Sequence, residues 1–414
     1  MFTRWYSSVF KSKLSYPYVH ILFGARQTGK STLINSIIPQ RAIKINLADP
    51  MQRNRHINNP MELEQICRSV SKSETATVVF IDEVQNVPSM FDSVQYLYDS
   101  DKERWCFILC GSSARRLRNS GTNLLPGRSI LHKLFPLLLT EQPYSHVSTG
   151  DLQTPLPFTL STNISDCITA PSWDIEQRLA WGSFPGIIAA PEELRSDILK
   201  TYANVHLEEE IRREAYIKDW AAFVRFVRLA AAESGKMINY AAISNHAGIS
   251  QPTVKAYYQL LEDMFLGFTV PAYTKSMRKN ILSTGRFFMC DIGIRHAAAG
   301  LQPSLETVRA DPGPLFEQWV GMELWKRLNY SGTGELYYQK ARTGAEVDFI
   351  IDLKTSLIPI EVKWTDRPTS SHARHLNTFL DEHGSFAPKG YVICRCPYPL
   401  QLTEKVIAIP WFYL

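Results

Sequence analysis

Apolar positions along this chain follow two rhythms, and the places where one gives way to the other divide it. Between residues 19 and 140, short apolar runs alternate with segments whose apolar residues recur every three or four positions. That alternation predicts strands and helices in turn, the pattern of a parallel α/β sheet. The runs at 19–23, 42–47, 77–82, 105–110 and 130–135 are the expected strands. Residues 145–173 break both rhythms with Ser, Thr and Pro and predict an extended connection. From 174 the helical spacing dominates, most clearly in 204–217 and 220–235, and strand-like alternation returns at 281–290 and 335–363. No internal repeat is present. The expected division is an α/β N-terminal domain (1–145), the connection (146–173), a helical middle (174–300) and a C-terminal α/β domain (301–414).

Chemistry enters at the end of the first strand. There the chain reads Gly24-Ala25-Arg26-Gln27-Thr28-Gly29-Lys30-Ser31-Thr32, the G-x-x-x-x-G-K-[ST] pattern of a phosphate-binding loop. Glycines let backbone N–H groups wrap an anion, and the following helix adds its dipole. Lys30 is expected at the β- and γ-phosphates of ATP and the Ser31 hydroxyl on Mg²⁺. About fifty residues later a strand, 77–82, ends in Asp82-Glu83. Asp82 is the expected second Mg²⁺ residue, and Glu83 the group that orients the attacking water. The next strand ends in Gly111-Ser112, where a polar side chain can reach the γ-phosphate or the water. Arg115, Arg116, Arg118 and Arg128 follow, and Arg128 is the expected finger, in cis or from a neighbouring subunit.

Composition narrows this only slightly. With 45% hydrophobic and 21% charged residues over 414 positions the chain is ordinary for a globular protein. A net charge of +5 permits nucleic acid without arguing for it. Seven cysteines lack zinc-ligand spacing and fit a reducing, cytoplasmic setting, with Cys394 and Cys396 packing along a strand. No apolar run reaches the length of a membrane-spanning helix. The basic, aromatic segment 1–14 is read as a lead-in to the first strand, not as a targeting peptide.

GARQTGKSTL, INLADPMQR, FIDEVQNVP, ILCGSSARRL and LLPGR together resemble a large bacterial and archaeal family of AAA-type ATPases. In it a compact ATPase domain is joined to a C-terminal region of uncharacterised function. The resemblance spans nearly the whole chain and implies the roles above for Lys30, Ser31, Asp82, Glu83 and Ser112. Many relatives carry Thr where this chain has Ser31, and Pro126 replaces a smaller residue before Gly127-Arg128.

In the middle, 236–268 follow a helix–turn–helix plan with Gln251, Thr253, Lys255 and Tyr258 on the second helix. A β-hairpin wing carrying Lys275, Arg278, Lys279 and Arg286 is expected after it. Phosphate contact with double-stranded DNA and simple packing both remain open for this winged helix. In the C-terminal part Asp348 precedes Glu361-Val-Lys363, and strand alternation puts Glu361 and Lys363 on one face. These residues, with Glu317 on an upstream helix, look like the metal-binding motif of a restriction-endonuclease-like fold. In such a fold Asp348 and Glu361 hold Mg²⁺ and Lys363 assists the chemistry. The expectation is an ATPase acting on DNA as a homo-oligomer, away from any membrane. The alternative is a nucleotide-controlled switch whose C-terminal domain docks partners without cutting.

Overall fold

A computed structural model describes residues 2–73, 75–112, 125–142, 156, 174–215, 217–274, 284–340 and 346–414. Arg115, Arg116, Arg118, Lys275, Arg278, Lys279 and nearly all of the expected connection lie outside the described residues. A short helix α1 (Tyr6–Lys13) leads into β1 (Val19–Phe23), α2 (Lys30–Ile37), β2 (Ile43–Asn46), α3 (Pro50–Asn58) and α4 (Glu62–Ser69). Next come β3 (Thr77–Asp82), α5 (Met90–Ser100), β4 (Trp105–Gly111) and β5 (Ser129–Lys133). These strands form one five-stranded sheet in the order β2-β3-β4-β1-β5, every pair parallel. Strand β1 is buried along its whole length, as a central parallel strand covered on both faces must be.

The expected fifth strand ran to 135, but β5 stops at Lys133. Leu134 instead turns its carbonyl against Gly24, where a Cβ would stand 2.1 Å from that oxygen, so only glycine fits.

The middle is helical: α6 (Ile175–Trp181), α7 (Pro185–Ala189), α8 (Glu192–Thr201), α9 (Leu207–Glu214), α10 (Trp220–Ala232), α11 (Tyr240–Ala247) and α12 (Gln251–Asp263). A single π turn, Tyr202–His206, interrupts the helical run between α8 and α9. Helices α11 and α12 meet at Gly248, whose φ of +70° suits glycine, and Ser250 caps α12 through the Thr253 N–H. After them β6 (Gly267–Val270) and β7 (Arg286–Met289) pair antiparallel. Tyr258, expected on a reading face, is buried against Phe226, Tyr240 and Phe287, because α12 turns its aromatic stripe inward.

Three helices follow, α13 (Ile292–Ala298), α14 (Leu305–Ala310) and the long α15 (Pro312–Ser331). The C-terminal sheet uses β8 (Glu335–Lys340), β9 (Glu346–Asp352), β10 (Leu357–Val362), β11 (Gly390–Cys394), β12 (Leu400–Gln401) and β13 (Val406–Pro410), with α16 (Arg374–His383) packed on it. Its order is β12-β13-β11-β10-β9-β8, mixed, with β10, β11 and β13 parallel. One continuous apolar core takes in Ala25, Leu137 and Leu139 of the first domain and runs from Ile175 through the middle helices to Leu414. Cys394 and Cys396 are both buried, but β11 ends at Cys394, so Cys396 packs from beyond the strand expected to carry both. Among the described residues no helix is long and apolar enough to cross a membrane.

Candidate functional site

All five strands of the first sheet are parallel, so their C-terminal tips share one edge, and the phosphate-loop residues gather there. Gly29, at φ +89°, turns the chain into α2, whose first residue is Lys30. The Lys30 ammonium is buried and donates to the Gly24 and Ala25 carbonyls at 2.8 and 2.9 Å. Thr28 is buried and donates to the Ala25 carbonyl at 2.9 Å, which tightens the loop, while Gln27 is exposed in a left-handed conformation. Arg26 points toward the middle helices. Thr32 lines a cavity of about 480 Å³ together with Phe2, Thr3, Gly29, Leu33 and Pro185.

Because β4 lies between β1 and β3, its tip sets Ser112 between the loop and the acids. The Ser31 hydroxyl lies near enough to Asp82 to favour its ionised form. Burial pushes the Asp82 carboxyl up from the ordinary range, opposed by the Ser31 hydroxyl and by the Lys30 charge. Glu83 sits at φ +54°, a costly conformation for a non-glycine residue of the kind held at working sites. Gln85 donates from Nε2 both to Glu83 and to the Ser112 hydroxyl, the latter at 3.2 Å. A Cβ on Gly111 would stand 2.6 Å from the Gln85 Oε1, so glycine makes room for this bridge.

Arg128 is not in this group. It precedes β5 at the opposite end of the sheet, with its carbonyl accepting from the Val19 N–H and its Nε 2.7 Å from Asp99. Five residues of strand separate that end from the loop, roughly 15 Å. An Arg128 finger acting within one chain does not match this placement.

Three other residues at the loop carried no sequence expectation. Arg4, 7% exposed, donates to the Thr28 and Phe135 carbonyls, each at 2.6 Å, and pairs with Glu141 at 3.1 Å. Glu141 also accepts from the Trp5 and Leu138 N–H groups. The third is Glu210 of α9, whose Oε1 stands 2.5 Å from Arg26 Nε. Its position had a signal: Leu207, Glu210 and Ile211 share one face of α9, and all three are buried.

The C-terminal candidates also come together. Antiparallel pairing of β9 with β10 brings Asp348 beside Glu361. Asp348 Oδ2 accepts from the Val362 N–H at 2.8 Å, and Lys363 Nζ stands 2.6 Å from Glu361 and 4.0 Å from Asp348. Burial pushes Asp348, Glu361 and Glu317 all upward, with the negative charge of Asp348 adding to the last two. Arg286, expected on an exposed wing, is buried here instead. It lies over the Tyr338 ring, 2.7 Å from Glu317, and also pairs with Glu346. The acids of this site attract its guanidinium more strongly than solvent does.

Residues 16–142 match the family model described as "AAA domain". Residues 172–305 and 312–414 match two models described as domains of unknown function (DUF8612 and DUF4143). An uncharacterised protein of Haemophilus influenzae is 22% identical over 86% of this chain and 84% of its own length. An uncharacterised protein of Mycobacterium tuberculosis is 22% identical over 95% of this chain and 80% of its own. Among solved structures, the RuvB Holliday junction branch migration motor of Thermotoga maritima aligns over 68% of this chain and 95% of its own, at 14% identity and a TM-score of 0.28. Residues 16–142 are therefore an AAA domain, a nucleotide-binding unit.

Proposed function

We propose that this chain is a Mg²⁺-dependent ATP-binding and ATP-hydrolysing protein in which the nucleotide controls how the middle and C-terminal parts dock on the AAA domain. One observation carries the reading: Lys30, Ser31, Asp82, Glu83 and Ser112 converge on one sheet edge, where Gln85 bridges Glu83 and Ser112. The residues fit a nucleotide. Lys30 is a buried cation whose hydrogen bonds are to backbone carbonyls alone, which a phosphate can replace. Ser31 and Asp82 lie close together, and their oxygens are the ones that would hold a Mg²⁺ ion. The cavity at Thr32 takes the base.

Bound Mg²⁺ would neutralise charge on the β- and γ-phosphates. Lys30 would hold the same oxygens from the loop side. Glu83, set by its strained backbone and by Gln85, would align a water and take its proton, while Ser112 fixes the opposite side of that water. A finger role for Arg128 belongs to self-association, since only a neighbouring copy can bring it to this edge.

The winged helix and the restriction-endonuclease-like domain serve, in this reading, as docking modules. Helix α12 offers Gln251, Lys255 and Gln259 to solvent, a thin set for double-stranded DNA. A divalent cation does not fit the C-terminal site as its residues stand. Arg286 holds Glu317, Lys363 holds Glu361, and among the described residues no three His, Cys, Asp or Glu groups converge as a metal site. The second reading, a DNA nuclease gated by the ATPase, is favoured by one feature: Glu361 Oε2 is buried without a partner. Incubation of supercoiled plasmid with Mg²⁺ or Mn²⁺, with and without ATP, decides between them. Cutting by the native chain but not by Asp348→Ala establishes the nuclease; intact plasmid alongside ATP turnover supports the switch.

A further inference from the structure

Helix α9 comes from the middle part of the chain, yet it delivers a carboxylate into the phosphate site. Glu210 is 6% exposed, and its Oε1 pairs with Arg26 of the loop at 2.5 Å. The Ser112 hydroxyl and the Lys30 charge lie close enough to favour the ionised form of the same carboxylate, and Glu83 is close enough to repel it. Burial, only partly offset by the Arg26 and Lys30 charges, pushes this carboxyl up to about 7. An anion paired with a loop arginine and facing a strand-tip serine and the loop lysine is in the situation of a γ-phosphate. The helix is tied to the loop a second time. Tyr202, in the π turn that precedes α9, donates to the Arg26 carbonyl at 3.4 Å. A π turn is a wider, less stable winding and commonly marks a place where a helix has work to do.

We propose that Glu210 occupies the γ-phosphate subsite of the nucleotide-free protein and is expelled by the third phosphate, so that it discriminates ATP from ADP and couples that difference to α9. This inference rests on the nucleotide site proposed above. Two anions cannot share Arg26, Lys30 and Ser112 in a buried setting, because like charges a few ångströms apart repel strongly there. A diphosphate leaves the subsite free and does not compete with Glu210. The triphosphate must break the Arg26 pair, and α9, with the Tyr202 turn as its hinge, is the element released.

The test compares MgADP and the Mg²⁺ complex of a non-hydrolysable ATP analogue, by calorimetry, on the full chain and on Glu210→Gln. Glutamine keeps the shape and removes the charge. The expected result is an analogue Kd tightened about tenfold or more in the variant, with the ADP Kd within about twofold of the native value. ADP affinity also reports that the variant is folded. An unchanged ratio of analogue to ADP affinity overturns the proposal, as does a loss of turnover with no change in either affinity. Absence of ADP binding to the native chain overturns the nucleotide site itself.

Discussion

Replacing Arg4 with methionine keeps most of the side chain's volume and removes its charge and donors. The guanidinium is buried, pairs with Glu141, whose side chain has no exposure, and satisfies the carbonyls of Thr28 and Phe135. Removing one partner of a buried pair costs about 3–5 kcal/mol, mostly through the charge left behind. Glu141 would keep the Trp5 and Leu138 N–H groups at 2.6 and 2.9 Å, which places the expected loss near the lower end, about 3 kcal/mol. Urea unfolding, with the midpoint converted through the native m-value, reads this directly. A second arm carries the same change in a Glu141→Gln background. A neutral amide does not require the cation, so the cost there should fall by about 2 kcal/mol. A loss below about 1 kcal/mol, or equal losses in both backgrounds, refutes the assignment of Arg4 as the buried clamp of the phosphate loop.

Glu83→Gln should bind MgATP normally and hydrolyse it about 10²–10⁴-fold more slowly, a split read by comparing calorimetric affinity with phosphate release. Arg286→Gln should leave Glu317 and Glu346 without their cation and lower stability by about 3 kcal/mol. Added Mn²⁺ should then raise the melting temperature of that variant more than that of the native chain. Equal metal responses would show that Arg286 is not standing in a cation's place. His20 and His132 lie in the core with Tyr6, ring nitrogens 3.0 Å apart, and burial lowers them to about 4 and about 3. The unfolded chain takes up those protons near 6.5 and the folded one does not, so stability is full above 6.5 and falls as pH drops toward 4. Two protons correspond to about 2.7 kcal/mol per pH unit, and His132→Gln should roughly halve that slope in urea titrations at pH 4.5–6.

The AAA domain was largely legible because each of its elements is local. A five-residue apolar run, a glycine-framed loop and a strand ending in two acids each state their own geometry, and 77–82 is a strand to the residue. Asp348, Glu361 and Lys363 were legible for a similar reason, since alternation along β10 fixes which side chains share a face. What escaped were residues defined by partners far away in sequence. Arg4 lies in a segment that reads as a basic lead-in, and only its pairing with Glu141, 137 positions on, shows it to be a clamp. Glu210 sits in a run of three glutamates that reads as a solvated helix face, although its place on the Leu207–Ile211 stripe marked it as buried. Arg286 was placed on a wing because basic residues cluster before it. It is drawn inward by Glu317 and Glu346, 31 and 60 positions away. Arg128 was misplaced as a finger within one chain for the opposite reason. Its neighbours Leu-Pro-Gly suggested a finger, but the parallel register of β5 with β1 sets it at the wrong end of the sheet.

The measurement that reaches the central claim most directly is equilibrium binding of Mg²⁺-ATP to the native chain and to Lys30→Ala, with phosphate release followed on the same samples. Saturable binding and slow hydrolysis are expected of the native chain, and loss of both in the variant while its fold, read by circular dichroism, is unchanged. ATP bound as tightly by Lys30→Ala as by the native chain would contradict that claim, since no phosphate would then rest on the loop.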